Sequence, residues 1–191
     1  MILLAESLPL TSLWLPIVVA AVALFVVSMI VCIALPYHRG DWKKLADDQP
    51  ILTALSEQKP AAGLYLLPSC KPEELRSPEV QARYDRGPWG VLIVPSGKPS
   101  MGRSAGLWFA LLLAISISVG YVVSHVAGPG GDHATVFRFA AAMAFIIFAA
   151  SALPGAIWEG KPARVALTGV LDAILYALTM GAVFRFLWPH S

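Results

Sequence analysis

The stretch LWLPIVVAAVALFVVSMIVCIALPYHRGDWKK, residues 13–44, decides the fold. Twenty-three residues pass without a charge, and then a proline, a histidine and four charged side chains arrive within nine positions. A helix needs roughly 20 apolar residues to cross a hydrocarbon core of about 30 Å. Three further runs meet that length, at 105–126, 135–157 and 165–188. The composition agrees, with 57% hydrophobic residues and 14% charged against roughly 25% charged in ordinary soluble domains. The predicted fold is an all-α membrane protein with four transmembrane helices. A small α+β insertion separates helices 1 and 2, and the chain is organised as 1–35, 36–104 and 105–191.

The first run has no basic segment before it, is longer than a signal-peptide core of 7–15 residues and leads into no small-residue cleavage site, so it reads as a retained span. Lys and Arg favour the cytoplasmic side of short loops. The 36–104 segment carries ten of the fourteen basic residues, and the turn at 158–164 adds Lys161 and Arg164. The AGPGGDHA turn, 127–134, carries none. The consistent topology puts the insertion in the cytoplasm and both termini outside. Trp14, Trp42, Trp108, Trp158 and Trp188 fall near span ends, as expected of rings that settle at headgroup level.

In the insertion, Asp48 before Pro50 and Ser77 before Pro78 read as helix starts with an N-cap and an early proline. LYLL at 64–67 and WGVLIV at 89–94 read as strands. Two strands and two short helices are too little to be stable alone in water. PSGKPSMG, 95–102, lacks the spacing of a phosphate-binding loop. Cys32 and Cys70 have neither metal-site nor disulfide spacing and read as inert thiols.

The last span carries a row of small residues, Gly169, Ala173, Ala177 and Gly181, at intervals of four that let helix backbones approach closely. The second span has a similar row, Ser116, Gly120 and Ser124, with Ala110, Ala114 and Ser118 beside it. The two rows predict packing of the second span on the fourth. Thr168, Asp172, Tyr176 and Thr179 share another face of the last span, within about 80° at roughly 100° per residue. Asp172 lies seven residues from the start of its run, about 10 Å in at roughly 1.5 Å per residue. A carboxylate at that depth must be protonated, paired or in contact with water. Arg103, Arg164, His38 and Arg39 stand on the same side as candidate partners. Such a site serves either as a polar clasp that fixes helix register or as a proton or ion site. The absence of a second acid in any span favours the clasp.

The tetrapeptide VFRF occurs at 136–139 and 183–186. Its arginines, Arg138 and Arg185, read as lipid-interface anchors that reach the headgroups. His125, His133 and His190 with Asp132 fall on the outer side and are weak candidates for a metal, because no two histidines stand at i, i+3 or i+4. No histidine is deep enough for a haem between spans. No Ser-His-Asp, Cys-His or paired-carboxylate set assembles on one membrane face, so an enzyme, with the outer histidines binding a metal, is an unsupported third reading, and no cofactor is expected. The expected partners are the lipid bilayer and other membrane subunits or a second copy, with no nucleic acid.

LPYHRGDWKKL and the closing DAILYALTMGAVFRFLWP together resemble a family of small uncharacterised bacterial four-helix inner-membrane proteins. In these an LPYHR-x-D segment follows the first span, and the last span carries D-x-x-x-Y-A-L and ends in L-W-P. The Gly-Pro before the second strand and the Pro-Ser-Gly after it extend the likeness over most of the chain. The resemblance implies a bacterial inner-membrane protein in which Asp172, Tyr176 and the His38–Asp41 group belong to a shared pattern, and it brings no activity. The sequence reading is thus a non-enzymatic accessory or interaction subunit, with a small oligomeric carrier or channel using Asp172 as the alternative.

Overall fold

A computed structural model describes residues 8–189. Of these, four helices are long and apolar enough to cross a membrane: α1 (Trp14–Ala34), α4 (Met101–Ala127), α5 (His133–Trp158) and α6 (Ala163–Leu187). A 3₁₀ turn at Leu10–Leu13 leads into α1. Between α1 and α4 lie α2 (Gln49–Gln58), β1 (Gly63–Leu67), α3 (Pro78–Arg86) and β2 (Gly90–Val94), the helix, strand, helix, strand order read from the sequence. Of the described residues, 71% are helical.

The chain divides into two compact units. One, Lys43–Ser100, holds the small elements. In it β1 and β2 pair antiparallel, with Tyr65 opposite Leu92. Ser77 caps α3 by accepting from the Val80 amide at 3.3 Å, and Gly87 ends it at φ 63°, where a side chain would be strained. The cap expected of Asp48 is not formed by its side chain. Asp47, one residue earlier, accepts from the Gln49 amide at 3.0 Å instead.

The other unit holds the long helices and includes 36–42, which the sequence reading had assigned to the insertion. Within it α1 contacts α4 and α6, α4 contacts α5, and α5 and α6 form the most extensive pair. This is a four-helix bundle with α4 and α6 on one diagonal and α1 and α5 on the other. Its core includes Leu13, Leu24, Leu112, Met180 and Phe184, all essentially inaccessible.

The small-residue row of α6 serves a different neighbour from the one predicted. A Cβ on Gly169 would stand 2.7 Å from the Cβ of Ala152, and one on Gly181 would stand 2.9 Å from the Phe137 ring, both on α5. Only a short turn joins α5 to α6, so they become antiparallel neighbours and the row is used there. Across the bundle, Gly120 of α4 faces Ile17 of α1 and the Phe184 ring of α6, each 3.3 Å from where its Cβ would be. Gly181→Leu should therefore force α5 and α6 apart. The expected loss is about 1–3 kcal/mol, the usual range for overpacking, measurable by denaturation in detergent. A Gly106→Leu control, at a glycine with nothing within 4 Å, should stay within about 0.5 kcal/mol.

Two of the tryptophans near span ends turn toward the bundle. The indole N–H of Trp108 donates to Ser28 Oγ at 2.9 Å, tying α4 to α1. Trp188 is 2% exposed and donates to the Gly128 carbonyl at 3.0 Å. Their N–H groups find partners inside the bundle, so the rings turn inward. Trp14 and Trp158, 62% and 85% exposed, keep the outward placement expected of them.

Candidate functional site

Pro36 cannot continue the hydrogen-bond ladder of α1, and Leu35 leaves the helix at φ −81°, ψ 132°. The next five residues, Pro36–Gly40, wind into a 3₁₀ turn, closed by the Asp41 amide donating to the His38 carbonyl at 3.0 Å. Tyr37, His38 and Asp41 thereby meet the first turns of α6.

Asp172 is the centre of the resulting network. The Tyr37 hydroxyl donates to its Oδ1 at 2.6 Å. His38 Nε2 lies 3.2 Å from both carboxylate oxygens. On the far side of the imidazole, Nδ1 is 2.7 Å from Asp41 Oδ2. Thr168 has one proton for two acceptors, the Val165 carbonyl at 2.9 Å and Asp41 Oδ2 at 3.3 Å. Arg164 donates from Nη2 to the Tyr37 carbonyl at 3.1 Å. Its guanidinium fills the space a side chain on Gly40 would need, which is why that position carries none. Asp41 Oδ1, on a side chain only 10% exposed, is buried with no hydrogen-bond partner among the described residues.

Facing a carboxylate from each nitrogen, the His38 ring is set up to donate twice, and that requires the imidazolium. Burial pulls its pKa down. The hydrogen bond to Asp41 and the charge and hydrogen bond of Asp172 outweigh it, and the net shift is upward. Tyr37 is held protonated well above its usual range, first by burial and then by its bond to Asp172. A histidine whose pKa is higher in the folded than in the unfolded state contributes stability that is complete below the unfolded value, about 6.5. That contribution disappears as pH rises through the folded value. Stability in detergent should accordingly fall as pH is raised from about 6.5, and His38→Gln should flatten the profile in that window.

Of the residues proposed from sequence, His38 meets Asp172 directly, and Arg164 supports the turn that carries His38. Arg39 and Arg103 are exposed. Thr168 joins the network through Asp41, and Tyr176 lies one turn beyond Asp172 in edge contact with Phe148, ring centroids 4.9 Å apart. Thr179 donates to the Leu175 carbonyl of its own helix at 2.8 Å and takes no part. Tyr37 was not a sequence candidate. Its signal was a phenol placed directly after the proline that ends a span, beside a histidine.

The histidines and Asp132 weighed as metal ligands are occupied separately. His125 Nδ1 is 2.8 Å from the Tyr121 carbonyl, and His133 Nδ1 is 2.7 Å from that of Arg185. Asp132 caps α5, accepting from the amide and hydroxyl of Thr135 at 3.0 Å each. His190 lies outside the described residues. Among the described residues no group of three or more His, Cys, Asp or Glu is arranged to hold a metal ion. Arg138 and Arg185 are exposed, the latter with its guanidinium carbon 5.9 Å from the Phe186 ring centre.

Fold and site together define a four-helix protein compatible with a multi-pass membrane location, with a polar network joining the end of α1 to α6. No family model, curated protein or solved structure matches the chain.

Proposed function

We propose that the chain is a non-enzymatic integral protein of the bacterial inner membrane, an accessory or interaction subunit with its insertion in the cytoplasm and both termini outside. What carries this reading is the engagement of Asp172. The costliest group in the spans is held by Tyr37 and His38 of the same chain, as suits a clasp that fixes helix register. An insertion of two short helices and a two-stranded sheet is suited to a partner's surface, because so small a unit gains little from its own core. Gentle solubilisation of native membranes should yield the tagged chain in a defined complex larger than the single chain, and a monodisperse single chain would sink the accessory role. The topology has its own test. In a Cys32→Ser background, a membrane-impermeant maleimide should label Cys70 only after the cells are permeabilised.

The alternative, a small oligomeric carrier or channel, draws support from a cleft that reaches Asp172. Proteoliposomes under a pH gradient should then pass protons with the wild type and not with Asp172→Asn. Zero flux with both would remove this alternative.

A further inference from the structure

The clasp closes only one side of Asp172. Its carboxylate also borders a partly open cleft of about 340 Å³ to which all four long helices contribute. That volume is at the lower end of small-molecule sites, which run from roughly 300 to 1,000 Å³. Trp108 from α4, Phe148 from α5 and Tyr176 from α6 give the cleft aromatic walls.

The polar groups on those walls lean one way. The Ser28 hydroxyl donates to the Phe25 carbonyl at 2.8 Å, and the Ser151 hydroxyl to the Phe148 carbonyl at 2.7 Å, so both offer lone pairs. The Trp108 N–H, the strongest fixed donor, is already held by Ser28. No Lys, Arg or His lines the cleft. An anion would meet the Asp172 carboxylate, with only the Tyr176 hydroxyl and the weakly donating Cys32 thiol to offset it. A metal ion would find one carboxylate, with no group of three ligating side chains among the described residues. The complementary guest carries several N–H donors and a positive charge on one end and an apolar body on the other. Aromatic faces favour such a cation further.

We propose that this cleft binds a compact apolar amine as its ammonium ion, the charged head on Asp172 and the body among Trp108, Phe148 and Tyr176. The assignment depends on neither the accessory nor the carrier reading. Its size suits a free amine rather than a whole lipid.

Calorimetric titration of the purified full chain in detergent with 2-phenylethylammonium should show saturable binding at one site per chain. The matched alcohol, 2-phenylethanol, and the matched anion, 3-phenylpropanoate, should bind at least about tenfold more weakly, the scale expected of a charge-assisted hydrogen bond. Asp172→Asn should weaken amine binding by at least about tenfold. Because that substitution also touches the clasp, Ser151→Phe is the second variant. It fills the cleft from an exposed position, leaves His38 and Asp172 in place, and should abolish binding with helix content retained. Equal affinity for amine and alcohol, wild-type binding by Ser151→Phe, or no saturable binding would each overturn the proposal. In nanodiscs, displacement of the probe by phosphatidylethanolamine and not by phosphatidylcholine would overturn it too, in favour of a lipid headgroup.

Discussion

His38→Ala should cost about 3 kcal/mol, the lower end of the range for breaking a buried ion pair. At this chain length that lowers the midpoint of thermal unfolding by about 6–12 °C. The imidazole sits between two carboxylates, with side chains of His38 and Asp172 only 20% and 13% exposed. Without it, Asp41 and Asp172 face each other with no cation between them, Asp172 keeping Tyr37 and Asp41 keeping Thr168. The penalty is then mostly that of uncompensated charge, and this makes a distinctive demand on the double mutant. Adding Asp172→Asn to His38→Ala should restore part of the lost stability, although Asp172→Asn alone is destabilising. A cycle among the four proteins should show coupling of about 1–3 kcal/mol. If the two losses simply add, the two side chains do not act together and the clasp is not what holds α1 to α6.

How much of this was legible beforehand varies by kind of signal. The four long apolar helices follow from uninterrupted apolar length, and the insertion's elements from Pro, Ser and Gly at their ends, so their presence and order were readable, although α4 begins at Met101 rather than 105 and Asp48 does not cap α2. The neighbour of the α6 glycine row was not. Gly169 and Gly181 mark a face that something can approach closely, and only the short α5–α6 turn decides that Ala152, Phe137 and Ala141 do so. Asp172 declared itself by its cost in a span. Its partner did not, because the positive-inside pattern places His38, Arg39, Arg103 and Arg164 on one side without ranking them. The ranking comes from the 3₁₀ turn after Pro36, which carries Tyr37 and His38 to α6 and leaves Arg39 exposed. The inward turn of Trp108 and Trp188 was hidden for a related reason. Position near a span end says a tryptophan can reach the interface, whereas the phase of the helix decides whether it faces lipid or the bundle.

Trp188→Ala is the second large effect, and it separates those two roles. The ring is 2% exposed, its centre 6.3 Å from that of Phe184, and its N–H reaches the Gly128 carbonyl at 3.0 Å. Beside it the Gly130 amide donates to the Pro189 carbonyl at 3.3 Å, so the end of α6 is tied twice to the α4–α5 turn. Truncating a buried tryptophan in water-soluble cores costs about 3–5 kcal/mol. In a membrane the unfolded reference keeps the ring in an apolar or interfacial setting, so much of the transfer contribution drops out and packing and the hydrogen bond remain. About 2–3 kcal/mol is the expected loss for Trp188→Ala. Trp188→Phe, which keeps most of the packing and removes the donor, should lose about 1 kcal/mol. Trp14→Ala and Trp158→Ala, at exposed rings, should each stay within about 0.5 kcal/mol. Denaturation of the four variants in one detergent gives the comparison. Were Trp188 a lipid anchor, its truncation would rank with those of Trp14 and Trp158, and the phenylalanine variant would be indistinguishable from wild type.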